Sequence, residues 1–133
     1  MNALYANAKN MFLTSTLDWV ASNVKVALVD KSKYNADVTN DQYLSDVPTE
    51  AITKLSGNLT TKTAVKGVAD ADNVVIPAVT GQVDAIVLFK DTGTSSTSPL
   101  IAYIDTSMGL PILMNSGDFS IQWNDGSSKI FSL

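Results

Sequence analysis

A chain of 133 residues that is 45% hydrophobic, with a mean hydropathy of +0.12, fits one globular domain over residues 1–133 and excludes a disordered polymer. Its net charge of −4 sets nine lysines against twelve aspartates and one glutamate, with no arginine, so neither a basic stripe for direct nucleic-acid binding nor a cationic face for a membrane is expected. Histidine and cysteine are both absent, which removes the Ser-His-Asp triad, imidazole bases, thiol chemistry and the common zinc sites.

No apolar run approaches the ~20 residues of a spanning helix. Residues 1–9 lack the basic and apolar regions of a secretory signal, and a cysteine-free composition fits a reducing cytoplasm. Leu4, Ala8, Met11 and Phe12 recur at i, i+4, i+7 and i+8, which predicts an amphipathic helix over residues 3–12, capped by Asn2 and laid against a sheet. The hydroxyl run Thr14, Ser15, Thr16 ends it, because such side chains compete for backbone hydrogen bonds. Leu17 and Trp19 then alternate with Thr16 and Asp18. Residues 24–29 read as a strand, with Val24, Val26 and Leu28 on a buried face and Lys25, Ala27 and Val29 on a partly buried one.

Residues 30–48 form a long acidic excursion in which Asp37, Asp41 and Asp46 are interleaved with Tyr34, Tyr43, Leu44 and Val47. Thr39 or Asn40 is expected to cap one helical turn through Tyr43 and Leu44, and the aromatic rings to pin the excursion to the core. Residues 51–55 predict a strand, Ser56, Gly57 and Asn58 a turn, and the β-branched stretch from Thr60 to Val65 another strand. Gly67 and the group Asp70, Ala71, Asp72, Asn73 mark reversals before a strand at 74–76, which Pro77 either ends or places at a sheet edge.

The last fifty residues carry the clearest strand signals. Residues 85–89 and 100–104 are short apolar runs bounded by turn formers, as expected of strands buried on both faces. Phe119, Ile121 and Trp123 share one face opposite Ser120 and Gln122, and Asn124, Asp125 and Gly126 predict a hairpin into a final strand at 129–133. Loops are expected at 93–99 and 108–111. Strands spaced every 8 to 12 residues, with no repeat and no linker, predict a mainly β fold: an antiparallel β-sandwich or barrel-like domain with a short N-terminal helix.

The chemistry is sparse. Nearly every carboxylate sits at a strand end or in a turn, where aspartate is favoured for backbone reasons, so a glycosidase-type pair has little support. Asp70, Asp72 and Asn73 present oxygens as calcium loops do, but they lack the glycine and bidentate glutamate of an EF-hand, and a solvated turn is the better reading. Trp19 and Trp123 suit a sugar-binding platform or core packing, and the face shared with Phe119 and Ile121 favours the core for Trp123. The triplet Asn58, Leu59, Thr60 matches a glycosylation acceptor without a secretory context. No phosphate-binding glycine loop is present, so no catalytic, cofactor-binding or metal-binding residue is nominated.

The segments VKVALVD at 24–30, YLSDVP at 43–48, GVADADNV at 67–74, AIVLFKDTGT at 85–94, PLIAYIDT at 99–106 and GDFSIQWNDGSSKIFSL at 117–133 together resemble small virion structural proteins of tailed bacteriophages. The likeness runs in order over nearly the whole chain, including the helix that begins NALY. It implies a non-enzymatic capsid decoration or cement protein that docks on the major capsid protein and stabilises the head. It further implies a virion location after assembly in the bacterial host cytoplasm, no cofactor, and self-association, most readily as a homotrimer on threefold lattice positions. The alternative is a tail or tail-tip component, or a carbohydrate-binding host-recognition module. No family residue role transfers. The expected docking regions are the acidic excursion with Tyr34 and Tyr43, the loop at 93–99, and the connection at Met108, Leu110 and Pro111.

Overall fold

The computed structural model describes residues 2–106, 109–123 and 129–133. The fold is mainly β, with every strand pairing antiparallel, and matches the expected sandwich or barrel-like class without closing into a barrel. Among the described residues, no helix is long and apolar enough to cross a membrane.

The chain opens with β1 (Asn2–Leu4) and α1 (Ala6–Leu13), then β2 (Val24–Val29), β3 (Ile52–Leu55), β4 (Thr63–Val65), β5 (Val68–Asp70) and β6 (Val74–Val83). It continues through β7 (Ala85–Lys90), β8 (Leu100–Ile104), β9 (Ile112–Ile121) and β10 (Phe131–Ser132). A five-stranded sheet has the order β1-β8-β7-β2-β3, a small sheet β10-β5-β4, and β6 and β9 pair as a ribbon. In the main sheet the register puts Val26, Leu88 and Ala102 on one face and Ala27, Val87 and Tyr103 on the other. Both faces are covered. β7 is buried as far as Phe89 and β8 throughout, as the unbroken apolar runs require.

Several expectations are corrected. The helix starts at Ala6, not Ala3, and Asn2 does not cap it. Residues 2–4 are instead drawn into β1 by pairing with β8, and Asn2 Oδ1 accepts the backbone N–H groups of Asp105 and Thr106. Tyr5 takes the N-cap place with no side-chain cap, and the Ala6 N–H donates to Val38 O at 2.7 Å. At the other end the hydroxyls act as expected: Thr14 Oγ1 and Thr16 Oγ1 donate to the last-turn carbonyls of Asn10 and Met11.

The second face of β2 is more closed than expected, since Ala27 and Val29 are fully buried and only Lys25 remains half-exposed, paired with Asp91 at 2.8 Å. In the excursion no helical turn starts at Thr39 or Asn40. The turn is a 3-10 helix at Leu44–Asp46, because the Asp46 carboxylate takes the backbone N–H groups of Gln42 and Tyr43. Another 3-10 turn, Thr49–Ala51, precedes β3 and shortens the expected strand at its start.

Of the two outcomes expected at Pro77, the strand does not end there but does lie at a sheet edge, since β6 and β9 form a two-stranded ribbon. β6 runs through it with irregular register between Ile76 and Val79, where Ala78 has φ +54, so the ladder absorbs the missing N–H as a bulge. The expected C-terminal hairpin is also replaced. β9 pairs with β6, while β10 pairs with β5, placing Phe131 opposite Ala69. Residues Asn124, Asp125 and Gly126, nominated for that turn, lie outside the described residues.

Candidate functional site

Carboxylates are the most numerous acid–base groups in this sequence, thirteen beside nine lysines, so their use bears most on what chemistry is open to it. Asp18 Oδ1 accepts the N–H groups of Val20 and Ala21, both at 3.0 Å, and Asp37 Oδ1 accepts those of Thr39 and Asn40. Asp84 accepts from the Lys31 N–H and the Gln82 amide. Side-chain and backbone donors of Ser32 hold Asp30 below its ordinary pKa, the Asn40 side chain does the same for Asp37, and the Lys25 ammonium together with the Gly93 N–H does so for Asp91. These three stay ionised and serve as turn clamps, the opposite of what a general acid needs.

The calcium-like triplet is divided among three tasks. Asp70 pairs with Lys129 at 3.2 Å, Asp72 Oδ2 accepts from the hydroxyls of Thr60 and Thr61, and Asn73 Oδ1 accepts the Trp123 N–H. Among the described residues, no three acidic side chains gather at metal-binding spacing.

Both indoles are core groups. Trp19 is 5% exposed and Trp123 6%, and their Nε1–H groups donate to Thr63 O at 3.1 Å and Asp72 O at 2.9 Å. Both bind at the open end of the β4–β5 hairpin, where Thr63 pairs with Asp70, tying that hairpin to the body, and neither presents a flat face for a sugar ring.

The expected docking regions sort unevenly. Tyr34 is buried, with its ring edge-on to Tyr103 at 6.4 Å. Tyr43 is half-buried and bridges Pro99, while Leu44 N–H donates to Ser98 O and Leu100 N–H to Gln42 O. The excursion and the 93–99 loop are therefore clamped together as one surface. Of the third region, Pro111 is exposed, Leu110 packs partly against the core, and Met108 lies outside the described residues.

Reasoning from sequence missed an open apolar surface. Where α1 ends against β10, Phe12, Leu17, Trp19, Ala69 and Phe131 line a groove of about 330 Å³. Phe131 fills its back wall, 5.2 Å edge-on to Trp19 and 5.9 Å from Phe12. Leu133 and Phe12 are shared with an adjoining hollow that Leu4, Lys9 and Leu13 complete. Leu13 is 85% exposed and Leu133 68%, with Val20 also open on the rim. The signal in the sequence was Leu13 itself, a large apolar residue one step beyond the expected helix end. A second open stretch, Ile112 and Leu113 on β9, fell where a connection was expected to be ending.

No protein-family model matches the chain, and no curated protein matches it.

Proposed function

We propose that the chain is a structural protein of a tailed-bacteriophage virion, and within it a decoration or cement protein that docks on the major capsid protein lattice, associates with its own copies and stabilises the head. The ordered likeness of its segments, from VKVALVD to the C-terminal GDFSIQWNDGSSKIFSL, supports the virion assignment. The observation that carries the structural role is the division of labour among its side chains. Carboxylates are engaged in turns, while Leu13, Val20 and Leu133 stand exposed about the α1/β10 groove, on a body whose central strands β2, β7 and β8 are buried on both faces. Such a body offers contact surface and stability, which repeated docking requires. Many weak contacts on one rigid assembly reinforce one another, with avidity gains of about 10² to 10⁴.

Copy number tests this proposal. Densitometry of purified particles against the major capsid protein is expected to give a stoichiometry fixed by the capsid lattice. A few copies per particle would move the protein to the tail tip, and absence from the particle would remove the virion assignment. Particles stripped of the protein are expected to lose resistance to heat and osmotic shock; unchanged resistance would remove the cementing role.

A further inference from the structure

We infer that the hollow between β1 and β10 is a slot for a short extended segment of another protein, which alternates apolar and acidic side chains and adds to the main sheet beside β1. The inference is independent of the virion reading. β1 is the outer strand of the main sheet and β10 that of the small one. Tyr5 N–H donates to Ile101 O at 3.0 Å, one step beyond the pairing of Leu4 with Ala102, so Tyr5 and, two residues earlier, Ala3 direct their main chain at β8. Asn2 and Leu4 turn theirs away. In β10 the Leu133 N–H donates to Gly67 O at 2.9 Å, so Leu133 and Phe131 face β5 while Ser132 turns its N–H and C=O outward. Asn2, Leu4 and Ser132 all line one hollow of about 550 Å³, and these outward main-chain groups make no hydrogen bond among the described residues.

Outward N–H and C=O groups on a strand edge are met best by another strand, whose main chain supplies both partners in register. A segment of about four residues spans β1. The walls select its side chains. Ala102, Ile104 and Phe131 give the hollow an apolar side, and the charged residues lining it, among those described, are Lys9 and Lys129. Lys129 shares its charge with Asp70 at 3.2 Å, whereas Lys9 is exposed and has no ion pair among the described residues. Because successive side chains of a strand point to opposite faces, alternation lets one set meet the apolar side while the other holds carboxylates beside the ammonium groups. This chain's own described carboxylates are held in turns, ion pairs or a paired strand, which leaves the guest segment to a different protein.

Amide NMR of the full chain, titrated with a capped peptide of about six residues alternating valine and glutamate, tests the slot. The peptide is expected to shift the Leu4 and Ser132 amides and to slow the hydrogen exchange of Leu4. Lys9→Glu is expected to weaken binding about tenfold or more, with far-UV circular dichroism unchanged because the side chain is exposed. The same peptide N-methylated throughout keeps its charge and loses its main-chain donors, and is expected to bind at least about tenfold more weakly. No shift at millimolar peptide overturns the inference. Equal binding of the N-methylated peptide rules out strand addition, and equal binding of a peptide with lysine in place of glutamate rules out the acidic guest. Acetate that reproduces the shifts would make this a site for a bare carboxylate, and the same shifts on concentrating the chain alone would give the slot to a second copy; either result overturns the assignment to a segment of another protein.

Discussion

Tyr5 and Tyr34, 29 positions apart, hold their hydroxyls 2.9 Å from each other in the buried space between the start of α1 and the acidic excursion. Tyr34 donates its proton to Asp41 Oδ2 at 2.7 Å, so its oxygen is the acceptor for Tyr5. Asp41 also accepts the Asp37 N–H, and the relay ends in a backbone turn. The excursion is thereby fastened at its midpoint, which leaves the later turn at 43–50 as a fixed projection.

Replacing Tyr34 with Phe is expected to cost about 1–3 kcal/mol, because it leaves the fully buried Tyr5 hydroxyl without its acceptor. The double change Tyr5→Phe/Tyr34→Phe is expected to cost less than the sum of the two single changes. Urea denaturation of the three variants measures both. Additive losses would mean that the hydroxyls act independently.

The same tyrosines set an alkaline limit. Burial pushes Tyr5 and Tyr34 well above the ordinary value of 10.0 and Tyr103 up to about 12. A folded-state pKa above the unfolded one gives stability that is fully present below pH ~10 and is lost as pH rises through the folded values. The melting temperature is expected to hold level on approach to pH 10 and fall beyond it, with tyrosinate absorbance rising together with unfolding. Ionisation of Tyr5, Tyr34 or Tyr103 at pH 10 without loss of structure would contradict it.

At the acid end the sign reverses. Asp30, Asp37 and Asp91 titrate below the ordinary 3.8, so their contribution is present above that value and is lost as pH falls through their folded values. These groups lie near the surface, and a modest decline in melting temperature below about pH 4 is expected. Asp91→Asn, which weakens the contact with Lys25, is expected to flatten part of that decline.

Phe119 and Trp123 are buried on one face beside Ile121, and truncating either to Ala is expected to cost about 3–5 kcal/mol. A loss below about 1 kcal/mol in chemical denaturation would mean that the side chain meets solvent or a partner instead.

Gly81 has φ +125, and a Cβ there would stand 3.1 Å from Thr53 Cγ2. Gly81→Ala is expected to destabilise by about 1–3 kcal/mol through backbone strain alone, and by more through the contact. Adding Thr53→Ser removes the methyl while keeping the 2.6 Å bond from the hydroxyl to Gln82 O, and is expected to recover part of the loss. Gly93, with open space where its Cβ would be, tests the strain without the contact.

What the sequence determined by itself was whatever neighbouring residues decide together. Val24–Val29 and Leu100–Ile104 are strands at their expected bounds, because short β-branched and apolar runs between turn formers have no better local conformation. The Thr14–Thr16 hydroxyls stop α1, and the alternation of Phe119, Ile121 and Trp123 identifies their buried face. Tertiary structure decided the partners. Asn2–Leu4 is a strand only because β8, about a hundred residues later, offers a free edge; β6 passes Pro77 because β9 holds it on both sides of the bulge; and β10 leaves β9 for β5, carrying Phe131 to Trp19. The groove follows from that last choice. Periodicity records which side of an element is apolar, but whether that side is covered depends on contacts between residues far apart in the chain, and at Leu13 and Leu133 the monomer supplies no cover.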